Sequence, residues 1–216
     1  MTFRQQRRGY HHGNLRDALI DAALDLIARH GLAGLTFAEV ARAVGVSAAA
    51  PYRHFRDLDD LIAEIARRGF ERFTHELEAA WDAGRPHPVT AIENCGRAYL
   101  RFARREPAAY AAMFDPGLPV ATDPTLGEAS ALAFGVLRRA AEMAASTVPQ
   151  AGRPPATMLA LHIWALSHGV ATLFVSRGDN ARFRLPMPPE DLLEAGLLIY
   201  LQSLGLSRDT PPSPAG

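Results

Sequence analysis

The residues of this 216-residue chain best suited to chemistry are hydrogen-bonding and cationic groups, not bond-breaking ones. They gather in Thr36–Phe55, TFAEVARAVGVSAAAPYRHF, where Thr36 and Ser47 each precede a short segment with an apolar face, and Tyr52, Arg53, His54 and the following Arg56 close the run. Thr and Ser in such places cap helices, and the first-turn amides of a helix have no partner within it, so each helix start can receive a phosphate oxygen. Tyr52 and His54 add side-chain donors, and Arg53 and Arg56 add charge. Ala48, Ala49 and Ala50 offer methyl groups but no base-edge hydrogen bonds, which suits thymine methyls and DNA shape better than a donor–acceptor code. A second polar set, Arg4, Arg7, Arg8, Tyr10, His11 and His12, lies in residues 1–13, which lack apolar periodicity and read as a flexible basic arm. Tyr10, His11 and His12 fit a solvated tail and a groove-following arm equally well. The pair His11-His12 has no spaced partners for a metal, so neither metal nor cofactor is expected.

The back of the chain holds a different group of candidates. Trp164 and His168 stand four residues apart on one helical face, while His162 lies on another side. Tyr99, Phe102, Tyr110, Met113, Phe114 and Phe134 recur at helix-face spacing. Stripes of this kind usually form a core. With His162, Trp164 and His168, the residues Tyr99, Phe102, Met113, Phe114 and Phe134 are also the candidates for lining a pocket, and spacing does not choose between the two readings. Gly169 inside an apolar helix costs about 1 kcal/mol relative to Ala, which points to close approach by another helix. Segments 156–176 and 189–204 are apolar on more than one side and must be covered all round. Two central helices of a monomer satisfy that, as does a four-helix interface between two copies, with Gly169, Leu173, Leu193, Leu197 and Tyr200 as its candidates.

The elements that carry these residues are helical throughout. Leu15, Leu19, Ala22 and Leu26 mark one helix face up to Gly31. A second helix starts at Thr36, with Glu39 three residues on, and stops at Gly45. Ser47 is expected to cap a third short helix through about His54, and Asp57 a fourth to about Ala80. Further helices are expected near 89–105, 107–114, 125–147, 156–176 and 189–204, with loops at 115–124 and 149–155. No period-two alternation is visible, so the expected fold is all-α: a basic arm (1–13), a helix-turn-helix head (14–56), a helical body for ligand and dimer contacts (57–206) and a disordered tail (207–216).

Charge separates these parts although the formal net charge is zero. Residues 1–56 carry eight Arg against four Asp/Glu, a surplus of +4, and the remainder is −4. Only the front therefore suits a phosphate backbone. One cysteine, Cys95, makes no internal disulfide, and neither a signal segment nor an apolar run of membrane-spanning length is read. The expected compartment is the cytoplasm, with no membrane partner.

Taken together, YHHGNLR, an Ala/Leu-rich helix, LTFAEVARAVGVSAAAPYRHF and the D-x-D-D-L-I start at Asp57 resemble the TetR family of regulators over about residues 10–65. The resemblance implies a three-helix DNA-binding head on a long fourth helix, a divergent helical ligand domain and a dimer formed by the last two helices. Trp164, His168 and Gly169 are similar to the residues naming the C-terminal domain of one subgroup, the WHG type. Two positions depart from the pattern: Leu58 stands where many members carry a phosphate-binding Lys, and Pro51 where many carry Leu or Ile. The implied function is a ligand-responsive regulator, usually a repressor, whose homodimer binds a palindromic double-stranded DNA operator and is released by a partly apolar small molecule. A helical enzyme or small-molecule carrier with a structural head is the competing reading. No nucleophile elbow, phosphate loop, dinucleotide fingerprint or metal-spaced cluster in the sequence supports it, so catalytic residues are not expected.

Overall fold

The computed structural model describes residues 15–115, 117–118, 123–175 and 186–207, and among them every regular element is helical. Arg8, Tyr10 and His11, with the rest of the arm, lie outside the described residues, as does the tail beyond Ser207. The described helices are α1 (Leu15–His30), α2 (Phe37–Val44), α3 (Leu58–Trp81), α4 (Pro88–Arg105), α5 (Pro107–Met113), α6 (Pro124–Ser146), α7 (Ala156–Val170) and α8 (Pro189–Ser203). Two compact units meet in sequence between Leu61 and Ile62, a little beyond the boundary expected at Asp57.

In the first unit, α1 buries Leu19, Ile20, Ala23, Leu26 and Ile27, and α2 buries Phe37, Val40 and Ala41. Local chemistry fixes the ends of α2. Thr36 Oγ1 accepts the Glu39 amide at 3.3 Å and donates to the Glu39 carboxylate at 2.9 Å. Gly45 takes the left-handed conformation (φ 79°, ψ 31°), open to a residue without Cβ at little cost. Its amide donates to Arg42 O at 3.2 Å, while the Val46 amide donates to Ala41 O at 3.0 Å, the paired bonds of a Schellman stop. Asp57 caps α3 by accepting the Asp60 amide at 2.8 Å, and the Asp60 carboxylate in turn accepts the Arg56 amide at 3.0 Å.

The third helix expected from Ser47 to His54 is corrected. That segment is a turn, closed by Ala50 N–H donating to Ser47 O at 2.9 Å, followed by one 3₁₀ turn over Pro51–Arg53. Pro51 has no amide to return to the Ser47 carbonyl, so the first α-type bond cannot form, and i→i+3 bonding takes over.

In the second unit, α4 is the central helix. It buries Ile92, Cys95, Ala98, Tyr99, Leu100, Phe102 and Ala103, and packs against α5, α6, α7 and α8. At Gly96 a Cβ would stand 3.1 Å from Leu197 and 3.2 Å from Leu193, so the missing side chain lets α8 lie close on α4. Ion pairs Arg97–Glu194 (2.6 Å) and Arg104–Glu190 (2.7 Å) flank that contact. Both are partly exposed; they match register more than they add stability.

Three expectations for the last helices change. Leu193 and Leu197 are only 2% and 1% exposed within the single chain, so they belong to its core and offer no surface to a second copy. Gly169 is not a point of close approach inside the chain: a Cβ there would meet nothing within 4 Å, whereas one on Gly196 would meet Leu166 at 2.9 Å. Finally, Ala156–Val175, where α7 continues as a π turn over Ala171–Val175, is 20 residues long and holds an 18-residue window of mean hydropathy 1.6, which is long and apolar enough to cross a bilayer. The expectation of no such run is therefore wrong by length and composition. In the fold this helix packs against α4, α6 and α8, and Leu159, Ala160, Ile163, Ser167 and Val170 form its buried side.

Candidate nucleic-acid interface and effector cavity

In the head, the turn and the 3₁₀ segment sort side chains into anchors and readers. Pro51 and Phe55 are buried, and the Arg16 guanidinium lies 5.1 Å over the Phe55 ring. Between and around these anchors Ser47, Ala48, Ala49, Tyr52, Arg53, His54 and Arg56 are exposed, with Ala50 half-buried and Thr36 exposed at the start of α2. Tyr52 is 62% exposed, yet its ring is braced edge-on against Phe37 at 4.9 Å and 88°. The aromatic ring is thus held on one edge while most of the residue stays open to solvent. Arg56 is tethered to Asp60 at 3.4 Å. Arg53, and also Arg42, which sequence reasoning did not select, have no carboxylate within ion-pair distance among the described residues. An exposed arginine on α2 carries no sequence signal that separates it from an ordinary solvated one.

In the body, the candidate pocket residues divide. Met113, Phe114, Phe134 and Trp164 line one cavity of about 410 Å³. Phe70 and Phe73 of α3 complete its aromatic walls, and Ser130 supplies a hydroxyl. None of these last three was selected from the sequence. On α6 the lining residues Ser130, Ala133, Phe134 and Leu137 follow helix-face spacing, and the small ones leave the space that the aromatics surround.

Tyr99, Phe102 and His168 stand outside that lining. Phe102 is fully buried, 5.0 Å from the Phe73 ring. Tyr99 and His168 belong to a polar network: Trp164 Nε1 donates to Tyr99 Oη at 3.3 Å, and the hydroxyls of Tyr99 and Tyr110 lie 3.1 and 2.9 Å from His168 Nδ1. Thr172 Oγ1 lies 3.4 Å from His168 Nε2. Burial pushes both phenols up and holds the imidazole below its usual value, so all three are neutral near neutral pH. The network fits a tautomer in which Nε2–H faces Thr172 and Nδ1 accepts a phenol proton. His162 is the last correction. It is exposed, its ring 4.8 Å from that of Tyr200 and its Nδ1 3.0 Å from Tyr200 Oη, so it pairs with α8 instead of entering the cavity. Cys95 is buried, and its thiol is pushed up to about 12 by desolvation, with Glu78 adding to the shift, which leaves it inert.

Similarity to known proteins settles the family. Residues 19–65 match the profile described as "Bacterial regulatory proteins, tetR family", and residues 92–199, half of the chain, match "Tetracyclin repressor-like, C-terminal domain". The chain belongs to the TetR family. This TetR-family regulator thus pairs a DNA-binding amino-terminal domain with a carboxy-terminal ligand domain. It is 37% identical over 71 residues to the HTH-type transcriptional regulator AcrR of Shigella flexneri, a match spanning 33% of each chain. A structure of a protein of unknown function from Rhodococcus sp. RHA1 superposes with a TM-score of 0.72 at 29% identity, covering 93% of this chain and 100% of the other. AibR, solved in complex with isovaleryl coenzyme A and operator DNA, has a TM-score of 0.63 at 20% identity over 85% of this chain and 96% of its own, a likeness of fold.

Proposed function

We propose that this TetR-family chain is a cytoplasmic, ligand-responsive repressor that binds a palindromic operator as a homodimer and leaves it when a small molecule occupies the body. The observation that carries the reading is the outward set of Ser47–Ala49, just before the buried Pro51, and Tyr52, Arg53 and His54, between Pro51 and the buried Phe55. An exposed, rigidly anchored row of donors and methyls after a short turn suits a duplex groove. The backbone amides at Thr36 and at Ser47, with the Ser47 hydroxyl, meet phosphate, Tyr52, Arg53, His54 and Arg56 grip the backbone, and Ala48, Ala49 and Ala50 meet base edges. Arg8, Tyr10 and His11 act from the arm, and Arg42 adds a phosphate contact from α2. Two half-sites about one helical turn apart require two heads. A second copy would cover the exposed Leu173 and Ile199, with Gly169 and Tyr200 alongside, on α7 and α8. AibR, with its DNA and acyl-coenzyme A, is a precedent for both partner classes within the fold.

Ligand release follows from differential affinity: a molecule that binds better to the body with its heads misplaced shifts the population away from DNA. Titrating the purified chain on its own upstream DNA at several salt concentrations tests the first half of the proposal. Affinity should fall steeply with salt, by a slope of about 0.9 per neutralised phosphate. Salt-independent or absent binding refutes it.

A further inference from the structure

We infer that the 410 Å³ cavity takes an uncharged, largely apolar ring compound bearing one O–H or N–H group, which Ser130 Oγ accepts. The inference rests on the ligand-responsive reading above and names the class of effector. Three features of the cavity argue for it.

Charge comes first. None of the described residues lining the cavity is ionisable; the walls are Phe70, Phe73, Phe114, Phe134 and Trp164, with aliphatic groups between. A carboxylate or phosphate entering this space would lose water and gain no cation, and an ammonium would gain ring faces but no carboxylate. The polar groups nearby do not change this. Trp164 Nε1–H is already directed to Tyr99, and the His168 imidazole, outside the lining and 4.5 Å from the Phe114 ring between centroids, is engaged by two phenols.

Hydrogen bonding comes second. Ser130, one of the lining residues, donates its hydroxyl proton to Gly127 O at 3.1 Å, so the proton is committed and only the lone pairs of Oγ are left to pair with a ligand. A donor group on the ligand is therefore the better match. Size comes third. An apolar cavity of about 150 Å³ holds a benzene molecule, so this one suits about two to three rings. Aromatic walls approaching from α3, α6 and α7 favour flat ligands that can stack or meet them edge-on.

A matched probe series separates these features in equilibrium dialysis with the full chain: 2-naphthol, 2-methoxynaphthalene, 2-naphthoate and (2-naphthylmethyl)trimethylammonium. 2-Naphthol should bind at least tenfold more tightly than either ion, and roughly threefold to tenfold more tightly than its methyl ether, the range of one net hydrogen bond. Ser130→Ala should remove only the second ratio. Ala131→Trp, at an exposed position on the cavity rim, should weaken both neutral probes about tenfold by filling the space they need. The inference is overturned if an ion binds as tightly as 2-naphthol, if Ala131→Trp and Phe134→Ala both leave 2-naphthol binding unchanged, or if the chain holds its upstream DNA but binds no neutral probe. If 2-naphthol binds as described but never releases DNA, the cavity chemistry stands and the ligand-responsive reading falls.

Discussion

The head and the body solve opposite problems with the same element. Around the Ser47 turn the side chains that matter point outward, and the helix ends that flank them are set by bonds between near neighbours: Thr36 to Glu39, Gly45 to Arg42, Asp57 to Asp60. In the body the side chains that matter point inward, and they come from helices far apart in sequence, with Phe70, Phe114, Phe134 and Trp164 facing one space. Local bonds make the head tolerant of core changes elsewhere. The body, in contrast, depends on packing, and a cavity persists in it only where small residues of α6 stand opposite large rings.

The sharpest way to break this contrast is Leu197→Ala. If Leu197 is core, truncation should lower stability by about 2–5 kcal/mol, whatever the protein concentration, in a denaturant melt. A loss that appears only on dilution would return Leu197 to an interface role. Ile199→Asp, at a residue 68% exposed, should do the reverse: little change in the single chain, and a shift toward monomer in sedimentation.

Next in size is Tyr52→Ala, which removes both the phenol and its brace on Phe37. DNA affinity should fall about tenfold or more across all sequences, as for a lost backbone contact, while Tyr52→Phe keeps the brace and loses less. Selective loss at one base pair would instead give Tyr52 a reading role. Smaller again is Gly45→Ala, where the left-handed backbone should cost about 1–2 kcal/mol in the stability of the head and little in that of the body. Equal losses in both units would end the picture of a locally determined head.

The smallest effect is a pH dependence confined to the body. Burial holds the His168 pKa below its ordinary 6.5, so between the folded and unfolded values the unfolded chain binds more protons. Stability is full above about 6.5 and declines as pH falls below it. His168→Gln should flatten that slope in thermal melts taken between pH 7.5 and 5.5; a slope unchanged by the substitution would place its origin elsewhere.

The sequence by itself determined the helical class, the ends of α2 and the start of α3, and the Tyr52–Phe55 run, because caps, left-handed stops and helix periodicity are set within a few residues of the chain. It misjudged the Ser47 segment: the cap residue was visible, but the hydrogen bond removed by Pro51 decided the geometry. Which aromatics surround space was not legible in it, since Phe102 and Phe114 share the same spacing signal yet one is core and the other wall. Nor was the inward turn of Leu193 and Leu197, for which the absent side chain of Gly96, roughly a hundred residues away, leaves room. Only the tertiary structure decided those matters, because a cavity and a buried face are relations between helices, and no single helix carries the information to specify its neighbours.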